Sequence, residues 1–125
     1  MKIALIAHDD MKESMLAFVK ENEKRFSKFQ LCATGTTGKR IMNETSLTVE
    51  LLHSGPLGGD QEIGAMLPSR KLHGIIFFRD PLTPLPHEPD VTALLRLCDF
   101  YNVPLATNFT SGEAILDYLC KKLEN

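Results

Sequence analysis

No stretch of this chain is apolar for long enough to cross a bilayer, and neither sign of charge predominates. The opening Met1-Lys2-Ile3-Ala4-Leu5-Ile6-Ala7 meets His8-Asp9-Asp10 at once, which is too short a run for a secretory leader. The expectation is a soluble, cytoplasmic protein with no membrane contact. A formal net charge of -2 provides no broad basic surface, so nucleic acid is not expected as a partner. Cysteine is sparse: Cys32, Cys98 and Cys120 are far apart, sit among apolar neighbours and form no C-x-x-C pair. That spacing argues against a disulfide framework or a zinc site and for buried thiols. Internal repeats and low-complexity segments are absent as well.

What is present fits one domain. The chain has 125 residues, and 43% of them are hydrophobic, enough for a substantial core. Short apolar runs alternate with amphipathic stretches. Strands are predicted at Lys2–Ala7, Phe29–Ala33, Thr48–Leu52, Gly74–Phe78 and Val103–Ala106. Helices are predicted at Met11–Asn22, Thr37–Glu44, from about Asp60 to Leu67, at Asp90–Tyr101 and after Thr110. Asp10 with Glu13 resembles a capping box, Thr110 and Glu113 frame the last helix, and Ile115, Tyr118 and Leu119 form its expected buried stripe. Ile75-Ile76-Phe77-Phe78 is apolar on both faces, as a central parallel strand covered by helices would be. Five strand–helix alternations predict an α/β domain with a doubly wound parallel sheet and helices on both faces. Right-handed crossovers then put every strand-to-helix loop at one end of the sheet, where such folds bind ligands.

The unusual polar residues fall on that end. His8, Asp9 and Lys12 follow the first strand, Thr34 to Thr37 the second and Ser54 to Asp60 the third. Arg79, Asp80, His87 and Asp90 follow the fourth, and Thr107 and Asn108 the fifth. The loops before the strands carry ordinary surface residues such as Lys24, Ser27 and Lys71.

Two glycine-rich runs carry the chemistry. Thr34-Gly35-Thr36-Thr37-Gly38 lies where a strand gives way to a helix, whose unpaired N–H groups favour an anion. Thr36 alone would serve as a plain N-cap, but three hydroxyls exceed what a cap requires. The spacing is not that of a nucleotide P-loop, since two residues separate Gly35 from Gly38 and Lys39 is followed by Arg40. Lys12, on the same rim, could add a formal positive charge or could be a solvated helix lysine. In Ser54-Gly55-Pro56-Leu57-Gly58-Gly59-Asp60-Gln61 the small residues let backbone amides approach a ligand while Asp60 shares the space. Asp60 could cap a helix, but in a phosphate-binding cleft it can act as a base toward a carbon acid. His87 lies between Pro86 and Pro89, which stiffen its loop, and a held imidazole can polarise a carbonyl. His8 and Asp9 offer a second imidazole and a carboxylate. His53 and His73 read as structural or surface residues. His8, Asp9, His87 and Asp90 are metal-ligand types, but no H-x-x-x-H spacing supports a metal.

These residues carry a resemblance. Ala7-His8-Asp9, the threonine run, Ser54 to Gln61, Phe77-Phe78-Arg79-Asp80-Pro81-Leu82 and Pro86-His87-Glu88-Pro89-Asp90-Val91 together resemble the methylglyoxal synthase family, from the first strand to the last helix. The resemblance implies a five-stranded parallel sheet of order 3-2-1-4-5. It implies a lyase converting dihydroxyacetone phosphate to methylglyoxal and inorganic phosphate without metal or organic cofactor, in a homohexamer often inhibited by phosphate. By the same resemblance, substrate binding falls on His8, Lys12, Thr34, Gly35, Thr36, Thr37, Ser54, Gly55 and His87, and the catalytic acid/base on Asp60. Asp9 and Asp90 match carboxylates near the catalytic site. The alternative is a non-catalytic regulatory module that binds a phosphorylated effector, which would need no base after Gly58-Gly59. A phosphatase-like hydrolase would release dihydroxyacetone instead.

Overall fold

The computed structural model describes residues 1–53, 59–82 and 91–125, with 59 and 60 described in their backbone alone. The elements run β1 (Lys2–Ala7), a 3-10 turn (Asp9–Met11), α1 (Lys12–Glu21), α2 (Glu23–Phe26), β2 (Gln30–Thr34) and α3 (Gly35–Glu44). They continue with β3 (Glu50–Leu52), α4 (Gly59–Ala65), β4 (Gly74–Phe78), α5 (Val91–Tyr101), β5 (Leu105–Ala106) and α6 (Phe109–Glu124). All four strand pairings are parallel, and the sheet order is β3-β2-β1-β4-β5, as expected. The chain therefore winds outward from β1 through β2 to β3, then returns to β4 on the other side of β1. The switch point lies between β1 and β4.

Alternation along β1 sorts its side chains to two cores. Ile3, Leu5 and Ala7 join Phe18, Ile41 and Leu116, so α1, α3 and α6 cover one face. Ala4 and Ile6 join Ile63, Leu94 and Cys98, so α4 and α5 cover the other. Phe18 stands at the centre of the first core, edge-on to Phe26, Phe78 and Phe109 at centroid distances of 5.7, 5.4 and 5.0 Å. Gly112 allows α6 to lie against it, since a Cβ there would sit 2.9 Å from Phe18 Cζ. Cys32 and Cys98 are buried free thiols, each pushed up to about 11 chiefly by burial, and Cys120 is half-buried.

Several local expectations shift. Helix α3 starts at Gly35, two residues ahead of the expected Thr37, so Thr36 lies inside its first turn and Thr34 is the N-cap. The Asp10–Glu13 capping box does not form. Met11 precedes α1 without a side-chain cap bond, and Glu13 pairs with Arg40 of α3 instead. Helix α6 is capped by Asn108, whose Oδ1 accepts from Ser111 N at 3.0 Å. Its buried stripe runs through Gly112, Leu116 and Leu119, while Tyr118 is 51% exposed. Strand β5 is two residues shorter than expected: Val103 N still donates to Cys98 O at the end of α5, and the first ladder bond runs from Ile75 N to Pro104 O at 3.0 Å.

Candidate functional site

The carboxyl ends of β1, β2 and β4 bring His8, the threonine run and Asp80 to one edge of the sheet. His8 follows β1 directly. Its backbone N–H donates to Phe78 O at 3.0 Å, and its carbonyl accepts from Met11 N at 2.8 Å, which starts the 3-10 turn. The ring is 3% exposed and packs edge-on to Phe77 at 5.2 Å. Asp80 N donates to His8 Nδ1 at 2.7 Å. A ring nitrogen that accepts does not carry the proton, so in this arrangement the imidazole is neutral and protonated on Nε2. That bond ties the residue after β1 to the loop after β4, across the switch point where doubly wound sheets bind ligands.

Lys12 Nζ lies 2.9 Å from Asp9 Oδ1, and the lysine side chain is 18% exposed. A partly solvated pair of this kind contributes little to stability. Its effect is positional: it holds a cation at the start of α1, one turn from His8.

On β2 and α3, Thr34 is buried and takes an extended backbone at the N-cap, yet its side chain makes no cap hydrogen bond. The plain-cap reading of Thr36 therefore fails, because the N-cap is Thr34 and Thr36 lies inside the first turn. Thr37 is 2% exposed, and its Oγ1 has no hydrogen-bond partner among the described residues. An unpaired buried hydroxyl costs about 1–3 kcal/mol, so one beside unpaired helix-start N–H groups is a donor set for an anion. Gly35 and Gly38 have packing roles too. A Cβ on Gly35 would lie 3.3 Å from Leu52 O, and one on Gly38 would collide with the Leu51 side chain. Both glycines let α3 lie close to β3, Gly35 against backbone and Gly38 against the exposed, movable Leu51 side chain.

Asp60 is the second residue of α4, and its side chain is not among those described. Ser54, Gly55, His87 and Asp90 lie outside the described residues. One contact beside that region escaped sequence reasoning. His53, expected to be a structural or surface residue, is exposed but directed: its backbone N–H donates to Glu62 Oε1 at 2.9 Å, and its Nδ1 meets the same oxygen. These bonds hold the Glu62 carboxyl below the usual carboxylate range, the backbone bond first. The end of β3 is thereby joined to the turn of α4 that carries Asp60. A histidine and a glutamate nine residues apart carried no signal for this pairing. No helix among the described residues is long and apolar enough to cross a membrane.

The chain is similar to known proteins. A family model described as an MGS-like domain matches residues 14–107. The methylglyoxal synthase of Carboxydothermus hydrogenoformans is 60% identical over 116 residues, covering 93% of this chain and 96% of its own. That of Acholeplasma laidlawii is 59% identical over 119 residues, covering 95% and 98%. The crystal structure of methylglyoxal synthase from Elizabethkingia anophelis NUHP1 superposes with a TM-score of 0.88 at 42% identity, covering 92% of this chain and 76% of that one.

Proposed function

Because this chain belongs to the methylglyoxal synthase family and is a lyase of that kind, we propose that it converts dihydroxyacetone phosphate to methylglyoxal and inorganic phosphate, with Asp60 as the general acid/base. The observation that carries the phosphate half of this reading is the buried hydroxyl of Thr37, unpartnered among the described residues in the first turn of α3. A phosphate oxygen at that helix start accepts from Thr37 Oγ1 and from the α3 N–H groups, and Lys12 supplies the formal charge. Ser54 and Gly55 complete the clamp, and the neutral His8 donates from Nε2.

The reaction then needs one base. The Asp60 carboxylate removes a proton from the hydroxymethyl carbon, and the electron pair forms an enediolate. His87 donates to the developing oxyanion, with Asp9 and Asp90 as the neighbouring carboxylates. The C–O bond to phosphate breaks and inorganic phosphate leaves with the bonding pair, taking up the proton of the C1 hydroxyl as that group becomes the aldehyde; the proton held by Asp60 then returns to the terminal carbon and the enolate ketonises to methylglyoxal. Elimination rather than isomerisation requires that C–O bond to stand perpendicular to the enediolate plane, and the phosphate clamp holds it there. All atoms balance without metal or organic cofactor. The working form in this reading is a cytoplasmic homohexamer inhibited by its own product, phosphate.

The test is the product mixture from dihydroxyacetone phosphate. Equal amounts of methylglyoxal and phosphate are expected, and Asp60→Asn is expected to lose nearly all turnover while still binding phosphate. Dihydroxyacetone as the organic product, or normal turnover in Asp60→Asn, overturns the proposal.

A further inference from the structure

A second cluster of cationic groups lies at the opposite end of the sheet, before the strands rather than after them. There a cavity of about 230 Å³ is bounded by the residues leading into β1, β4 and β5 and by one face of α6. Its lining includes Arg70, His73, Tyr101, Tyr118 and Lys122 and, among the described residues, no carboxylate.

Both cations are exposed, and each lies over a tyrosine ring. Arg70 takes a left-handed backbone, φ 60, where glycine would be unstrained. Its Nη1 donates to Tyr101 O at 3.2 Å, and its guanidinium carbon lies 5.8 Å from the Tyr101 ring centroid. A guanidinium carries five N–H donors, so this bond leaves most of the fork for another acceptor. Across the cavity, Lys122 Nζ lies 5.4 Å from the Tyr118 ring centroid. His73 is fixed between them and β1: its backbone N–H donates to Lys2 O at 2.9 Å, and its Nδ1 accepts from Lys2 N at 3.1 Å. The neutral ring therefore carries its proton on Nε2, as a donor. Burial, then the positive charges of the amino terminus and of Lys122, hold His73 below its usual range. Two positive charges therefore act on His73, and no described residue of the lining is a carboxylate.

We propose that this cavity binds a small phosphate-bearing anion through Arg70, Lys122 and His73, at a site separate from the cleft at the carboxyl ends of the strands. A guanidinium fork and an ammonium suit a tetrahedral dianion, and the two tyrosine rings leave an apolar wall for the organic part of a phosphate ester. The proposal does not depend on the chemistry assigned to Asp60.

The probe is inorganic phosphate, titrated at constant ionic strength while the Cε1–H signals of His73 and His8 are followed by NMR. His73 reports the cavity and His8 the cleft. In the native protein the His73 signal is expected to move and saturate. In Arg70→Gly, which removes the guanidinium and relieves the left-handed backbone, the apparent affinity read at His73 is expected to fall at least fivefold. Lys122→Gln is expected to do the same, with the His8 titration unchanged in both variants. The proposal is overturned if His73 does not respond, if chloride at equal ionic strength reproduces its shift, or if both variants titrate at His73 as the native protein does.

Discussion

Replacing Thr37 by valine should stabilise the free protein and damage its function, two effects of opposite sign from one atom. Valine keeps the branched shape and exchanges the buried Oγ1 for a methyl group. In the free protein that hydroxyl is 98% buried with its residue and unpartnered among the described residues. An unmet hydroxyl costs about 1–3 kcal/mol, and helix propensity barely distinguishes threonine from valine. The variant should therefore gain about 1 kcal/mol of unfolding free energy, which for a domain of this length raises Tm by about 3–5 °C. With phosphate bound, the same atom donates to a charged oxygen, a bond worth about 1.5–3 kcal/mol. Its loss should lower kcat/KM by roughly 10- to 150-fold. Urea unfolding read with and without inorganic phosphate separates the two terms, because a ligand that binds only the folded state adds stability in proportion to its affinity. Native protein should gain more from phosphate than Thr37→Val does. A variant less stable than native in phosphate-free buffer, with unchanged kcat/KM, would refute the reasoning.

Two further predictions concern the scaffold. Gly112→Ala should destabilise by about 1–2 kcal/mol in chemical denaturation, although alanine gains helix propensity, because the new methyl group meets a Phe18 ring held by three aromatic neighbours. A more stable Gly112→Ala would show that Phe18 can move aside. His73 should make stability fall as pH is lowered. Its folded value lies below the ordinary 6.5, so the unfolded chain binds its proton first. The stability is present above 6.5 and is lost as pH falls through the lowered folded value. His73→Asn should flatten that part of the unfolding free-energy profile, and an NMR midpoint for His73 at or above 6.5 would contradict the sign.

The central strands were legible to the residue. Lys2–Ala7 and Gly74–Phe78 are covered on both faces, as their continuous apolar runs require. The one-sided placement of polar residues followed from parallel topology alone, and it located His8, Asp9, Lys12 and Thr34 to Thr37. Helix ends were less legible because several residues nearby can serve as caps. At α3 the sequence offered three threonines, and the backbone turned at Thr34. At α6 it offered Thr110, and Asn108 two residues earlier makes the bond. Tyr118 shows the same limit: its spacing fits the buried stripe, but the amphipathic ring ends up half outside, over which Lys122 lies. The bonds between His8 and Asp80, and between His53 and Glu62, were not legible. Each joins segments that meet only once the sheet is assembled.

The places where this fold departs from its own local rules separate the two ends of the sheet. At the carboxyl end, a buried hydroxyl is left without a partner in a helix turn that an ordinary cap would have satisfied. At the amino end, an arginine occupies a backbone conformation that glycine would hold without strain. The arginine's backbone also closes the turn that follows α4, where Lys71 N donates to Met66 O and Arg70 N to Leu67 O at 3.1 Å each, and in the two proposals each residue offers its donor to an oxyanion. The core between them shows no such departure: Ile3, Leu5, Ile76 and Phe78 alternate, bury and pair in register as their sequence requires. Stabilising substitutions confined to that core should therefore raise unfolding free energy without changing anion affinity. Thr37→Val and Arg70→Gly should each gain stability and lose phosphate binding, at the cleft and at the second cavity respectively. That pairing of gain with loss would be the signature of residues retained for a ligand rather than for the fold.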